Sequence, residues 1–204
     1  MTEGSTGRAA ARIPRARAEA WAALTEEIRH CEKCPLHASR TQAVVYRGGP
    51  SPRVLFVGEA PGVQEDRVGI PFVGRSGRWL DAAVARLGLE PEEVGVLNLL
   101  KCRPPGNRFD RSAARSCRPY LDRQIALLEP RCLVTIGATA YRALSPGGPP
   151  ILAAAGRPRP DASPPLFPLI HPAAAMRSRR LSERWARDVD ALDRWITGGV
   201  AQPV

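Results

Sequence analysis

Four short apolar runs, each followed by a stretch of helical spacing, constrain this chain of 204 residues more than any other feature of its sequence. Arg53-Val54-Leu55-Phe56-Val57 ends at Gly58, and Gly74 to Leu87 then sets Trp79, Leu80, Val84 and Leu87 at helical intervals. Val94-Gly95-Val96-Leu97 repeats the strand signal, and Ser112 to Leu128 repeats the helix signal with Ser112 as the expected N-cap. Cys132 to Ile136 is a third strand and Ala138 to Leu144 its helix. Leu166 to Ile170 is a fourth, in which Pro168 removes a ladder donor and points to an edge or a bulge. A last helix, Ser182 to Ile196, carries Trp185, Val189, Leu192 and Ile196 on one stripe. Strands alternating with helices predict an α/β fold: a three-layer αβα domain around a central, mostly parallel four-stranded sheet.

That length suits one domain, expected over residues 21–198. The first twenty residues carry Arg8, Arg12, Arg15 and Arg17 among Ala and Gly, which predicts a flexible basic tail. Residues 199–204 are expected to form a short C-terminal tail. Pro146 to Pro165, rich in Pro, Gly and Ala, reads as a loose surface connection. No apolar run approaches a membrane span and no secretory signal opens the chain, so a cytoplasmic, nucleoid-associated protein is expected. Thirty basic residues against twenty acidic give a formal charge of +10, which favours a polyanionic partner. Only Lys33 and Lys101 are lysines, so a drift from Lys to Arg codons explains the arginines equally well.

In sheets of this kind ligands bind beyond the carboxyl ends of the strands. Glu59 follows the first strand, Asn98 the second and His171 the fourth, so a carboxylate, an amide and an imidazole are aimed at one edge. The loop from Gly58 to Gly74 is glycine-rich, but it lacks Gly-Lys-Ser/Thr and G-x-G-x-x-G, which sets a phosphate loop aside. Five cysteines without an export signal suggest a metal or cluster rather than disulfides. Cys31-Glu32-Lys33-Cys34 is a C-x2-C pair and Cys102 and Cys117 a wider one. On residue type alone zinc and iron–sulfur fit these four about equally. Cys132 opens an apolar strand and reads as core.

The segments Gly58-Glu59-Ala60-Pro61-Gly62, Glu65-Asp66, Gly69 to Gly74, Asn98 to Pro105, Cys117 to Leu121 and His171-Pro172 together resemble the family 4 uracil-DNA glycosylases. The resemblance runs from about Cys31 to Trp195. It implies a hydrolase without an external catalytic cofactor, acting on uracil-containing DNA, single- or double-stranded, as a monomer and away from membranes. By resemblance Gly58, Phe72, Asn98 and His171 bind the flipped uracil. An Asn amide suits that task, because it accepts from N3–H while donating to O4. Phe72 would stack on the base, and His171 would sit near O2 and stabilise the departing anion. Either Glu59 or Glu65 would stabilise the sugar cation or orient water. The resemblance also assigns Cys31, Cys34, Cys102 and Cys117 to a structural [4Fe-4S] cluster. The segment after His171, with Met176, Arg177, Arg179 and Arg180, would enter the minor groove. Ala174 and Ala175 stand where relatives often carry Leu or Tyr. The best-known uracil glycosylases have Asp and Tyr where this chain has Ala60 and Gly62. A related branch that attaches covalently to DNA through an inserted His is set aside, since Pro104 to Ser116 is short and holds no His. Two alternatives accompany this reading: an inactive DNA-binding module with a four-cysteine metal site, and a glycosylase of broader base range.

Overall fold

The computed structural model describes residues 14–200. In chain order the elements are α1 (Arg15–Arg29), β1 (Arg47–Gly48), β2 (Val54–Gly58), α2 (Val63–Val68), α3 (Arg75–Arg86), β3 (Val94–Asn98), α4 (Arg111–Leu128), β4 (Cys132–Ile136), α5 (Ala138–Leu144), α6 (Ile151–Ala154), β5 (Leu166–Leu169), α7 (Pro172–Ala175) and α8 (Arg179–Trp195), with 3-10 turns between some of them. The sheet order is β1-β3-β2-β4-β5, and β3, β2, β4 and β5 are mutually parallel as expected.

The period-2 geometry of each strand sorts its side chains between two layers. Val54, Phe56, Val96, Val134 and Phe167 pack with Leu80 and Ala83 of α3 and with Trp185, Val189 and Leu192 of α8. Leu55, Val57, Leu97 and Leu133 face the other way, against Leu121 of α4 and Tyr141 of α5. Every residue of β2, β3, β4 and β5 is buried, as strands covered on both faces must be. Pro168 lies on an edge strand paired only with β4, where its missing N–H has no ladder partner to lose.

Four features differ from expectation. A fifth strand, β1, joins the edge antiparallel to β3; it is two residues long, too short to show a period. Helix α1 begins at Arg15, inside the stretch expected as tail; it buries Leu24 and Ile28 against Tyr120, and Arg17 pairs with Glu129. Arg8 and Arg12 lie outside the described residues. The N-cap of α4 is Asp110, whose carboxylate accepts from the N–H groups of Ser112 and Ala113, whereas Ser112 lies in the first turn. The connection from Pro146 to Pro165 is more ordered than its composition suggests: α6 buries Ala154, and Arg159 bridges to Leu166. No helix among the described residues is long and apolar enough to cross a membrane.

Candidate active site

The parallel register sets Gly58 directly beside Asn98 at the carboxyl ends of β2 and β3. The ladder continues past both strands, because Leu99 N–H donates to Gly58 C=O (3.0 Å) and Leu100 N–H to Glu59 C=O (3.1 Å). The Asn98 backbone is therefore fixed on one side by the sheet. On the other, Lys101 Nζ donates to the Asn98 carbonyl oxygen at 2.6 Å. The Asn98 side chain is buried, and its amide oxygen has no hydrogen-bond partner. Such an orphan costs about 1–3 kcal/mol unless something supplies the donor.

Phe72 packs against Gly58 beside Asn98. The residue is 6% exposed, and its backbone sits at φ 56°, a conformation that strains a bulky residue by about 1–3 kcal/mol. Two devices hold it there. Glu65 accepts from the N–H groups of Gly62 (3.1 Å), Val73 (3.1 Å) and Gly74 (2.8 Å), so one carboxylate fastens both ends of the loop that carries Phe72. Gly77 of α3 lets the Phe72 carbonyl approach so closely that a Cβ there would lie 1.9 Å from its oxygen. Gly62 belongs to the same clamp, since a Cβ on it would meet Glu65 Oε2 at 2.7 Å. A side chain at Gly62 would push the Glu65 carboxylate out of this clamp.

His171 lies next to them, its ring centroid 6.5 Å from that of Phe72. It rests over Gly137, where a Cβ would lie 3.1 Å from His171 Cβ and where φ of 90° suits glycine. His171 Nδ1 is 3.0 Å from the Ala173 N–H and accepts from it, which leaves the proton on Nε2. Burial lowers the His171 pKa below its usual value, Glu59 opposes that shift and Arg177 adds to it. The ring is accordingly neutral at pH 7 and presents an N–H donor. Of the two carboxylates that the sequence left open, Glu59 lies in the electrostatic field of His171, while Glu65 is occupied by backbone donors.

Beyond His171, Met176 ends α7 half-buried and lines a groove of about 720 Å³ with Trp79 and Trp185. Arg177 and Arg179 are exposed, and Arg179 is paired with Glu183 at 2.9 Å.

The four cysteines converge below the Asn98 loop. Cys102 and Cys117 are buried with Leu36 and Leu100, Cys34 packs against them, and the thiols of Cys31 and Cys34 act electrostatically on that of Cys102. Among the described residues no three His, Cys, Asp or Glu groups close on a point as one metal ion requires. Burial raises the Cys102 thiol and pushes Cys117 up to about 11, so forming thiolates calls for cations nearby. Two basic side chains are in place. Arg40 donates to Cys102 Sγ (3.2 Å) and to the Cys31 carbonyl (2.7 Å), and Lys101, 2% exposed, has its pKa lowered by burial to about 7 while the field of Cys117 and Cys102 opposes that shift. The donor set fits an anionic thiolate cluster.

Lys101, Arg40, Gly77 and Gly137 were not singled out in the sequence. Gly77 carried a signal, because a glycine inside a helix costs about 1 kcal/mol relative to alanine and so marks a close approach. Lys101 carried another, as one of only two lysines in an arginine-rich chain.

The family model described as the uracil DNA glycosylase superfamily matches residues 45–192. The Type-4 uracil-DNA glycosylase of Pyrobaculum aerophilum is 45% identical over 122 residues, covering 59% of this chain and 62% of the relative. The protein of the same description from Sulfurisphaera tokodaii is 46% identical over 116 residues, covering 56% and 53%. That from Thermotoga maritima is 42% identical over 118 residues, covering 57% and 62%. The chain thus spans less than two thirds of the length of each of these curated relatives.

Proposed function

Because this chain belongs to the uracil DNA glycosylase superfamily, we propose that it hydrolyses the N-glycosidic bond of deoxyuridine in DNA, releasing uracil and leaving an abasic site for base excision repair. One observation carries the reading: the buried Asn98 amide oxygen, without a partner, beside Gly58 and Phe72. Uracil N3–H is the donor that this oxygen lacks, and the amide N–H reaches O4. Phe72 stacks on the extruded ring. His171 donates from Nε2 to O2 as negative charge develops there, a donor placed before the charge arrives. Glu59 faces the sugar, where its carboxylate stabilises the oxocarbenium ion or orients water. Glu65 serves by holding the loop. One copy of the chain supplies all of these groups, so the enzyme works as a monomer.

Cys31, Cys34, Cys102 and Cys117 hold a [4Fe-4S] cluster in this reading. When bound it supplies a covalent clamp and no electrons, because hydrolysis transfers none. Arg40 and Lys101 neutralise the thiolates, and Lys101 ties that neutralisation to the Asn98 carbonyl. Met176, Arg177 and Arg179 meet the DNA beside the pocket, in single- or double-stranded substrate.

Asn98→Asp tests the reading. The carboxylate faces uracil O4 with a lone pair in place of a donor, so uracil excision should fall by orders of magnitude. Cytosine presents N4–H donors there and an acceptor at N3, so where burial keeps a proton on the new Asp for donation to N3, weak cytosine excision should appear. Single-turnover rates on matched U- and C-containing oligonucleotides, read as alkali-labile sites, decide it. Uracil excision near the parental rate would show that Asn98 does not read the base.

A further inference from the structure

A groove of about 650 Å³ runs between α4 and α5, outside the uracil pocket. Arg111, Arg115 and Arg142 rim it, and Leu99, Phe109 and Leu121 form its floor. Arg111 and Arg115 are one helical turn apart on α4, and Arg142 faces them from α5. All three are exposed and have no carboxylate or other partner among the described residues. The other arginine of the groove, Arg118, is spent on structure: it donates to Asp122 (2.6 Å) and to the Ala143 carbonyl (3.0 Å), which joins the two walls. Elsewhere arginines are commonly matched. Arg15, Arg29 and Arg123 pair with Glu19, Glu26 and Glu27. Three unmatched guanidinium groups around one concavity repel each other and gain from an anion between them.

The position of the groove indicates which anion. Leu99 directly follows Asn98, and α5 begins one residue after Gly137, on which His171 rests. The groove therefore opens at the same carboxyl edge of the sheet as the pocket, on the face opposite Met176 and α8. A DNA strand that delivers a nucleotide into the pocket must leave it again along the surface. We infer that this groove is a DNA-strand track: it binds the sugar–phosphate backbone flanking the flipped nucleotide, phosphates against Arg111, Arg115 and Arg142 and the apolar edge of a sugar or base against Phe109 and Leu99. Guanidinium groups over an apolar floor are the elements of sequence-independent single-strand binding. The inference rests on DNA as substrate and adds a second contact surface to the site proposed above.

The test is the salt dependence of binding to a uracil-free, single-stranded thymine oligonucleotide, read by fluorescence anisotropy. Each phosphate neutralised on a single strand contributes about 0.7 to the slope of log K against log salt. The triple variant Arg111→Gln/Arg115→Gln/Arg142→Gln should lose about 2 from that slope. Between 50 and 200 mM salt its affinity should consequently fall about twentyfold less than that of the parental protein. Arg111→Lys/Arg115→Lys/Arg142→Lys should keep the parental slope, since lysine also neutralises phosphate. A control of equal charge, Arg15→Gln/Arg29→Gln/Arg123→Gln, should keep it as well, because those charges are already met by carboxylates. An unchanged slope in the first variant, or an equal drop in the control, overturns the inference; in the former case the groove is free for an acidic peptide instead. Uracil excision by the parental protein is measured separately. If it is absent while the slope still drops, the track stands and the glycosylase reading falls.

Discussion

Replacing Gly58 by alanine strikes the proposed pocket where it is tightest. A Cβ at this position would lie 2.4 Å from Asn98 Oδ1 and 2.6 Å from Cε2 and Cζ of Phe72. Ordinary contact begins near 3.4 Å, so the two groups proposed to read and stack the base must each retreat by about 1 Å. Neither can do so as a body. The Asn98 backbone is bonded to Gly58 through Leu99 and to Lys101 Nζ, and the Phe72 backbone is pressed against Gly77. The side chains must turn off their rotamers instead, at an overpacking cost of about 1–3 kcal/mol. A misplacement of this size lowers the rate about a hundredfold. The loss should appear in the single-turnover rate at saturating DNA, with a much smaller change in DNA affinity, since the arginines are untouched. Urea unfolding should shift by the overpacking cost alone. A Gly58→Ala protein that excises uracil within threefold of the parental rate would refute the placement of the base between Asn98 and Phe72.

Acidification should expose His171. Its pKa is lowered in the folded protein, so the unfolded chain takes up the proton first as pH drops. Its contribution to stability is therefore complete above about pH 6.5 and is lost as pH falls through the lowered folded value; comparing urea midpoints at pH 7.5 and 5.5 should show a smaller decline in His171→Gln than in the parental protein, and equal declines would count against a buried neutral imidazole. Cys102→Ser should lower the broad absorbance near about 400 nm, the iron content and the urea midpoint together with excision, whereas a colourless parental protein that contains stoichiometric zinc and is active would remove the cluster. Met176→Ala should reduce excision from duplex more than from single strands, because only the duplex leaves a gap to fill; equal losses would take Met176 out of that role.

The frame of the fold was legible because fully buried strands and amphipathic helices write their burial into local spacing, as in Val54 to Val57 and in the stripe Trp185, Val189, Leu192. Helix α1 was missed although Leu24 and Ile28 lie one helical turn apart, since its Arg- and Ala-rich start matches the composition of a tail. The polar ends of the strands were legible as a set, for chain order and parallel direction alone bring Glu59, Asn98 and His171 to one edge. That Glu65 is taken up by the loop was not. It depends on three backbone N–H groups that meet Glu65 only after the loop has closed across Gly74. Nothing in the spacing of the cysteines shows that Arg40 reaches Cys102, a contact across 62 residues of chain.

The two halves of the proposed pocket are held by different physical means, and this bears on the recognition proposed for it. Asn98 is fixed by continuation of the sheet: Leu99 and Leu100 extend the ladder, Val44 N–H donates to the Lys101 carbonyl at 2.7 Å, and Lys101 Nζ returns to Asn98. Its amide is thereby oriented without strain, which suits the donor–acceptor discrimination proposed for it. Phe72 is the opposite case, a bulky residue at positive φ kept in place by the Glu65 clamp and the gap at Gly77. Strain of this kind persists only where the surroundings over-determine it. Stacking is tolerant of the base's identity, because every base has a π-face, whereas the hydrogen bonds proposed for Asn98 are not. In the proposed reading the rigid element carries the discrimination, and the strained one supplies a surface that any flipped pyrimidine can use.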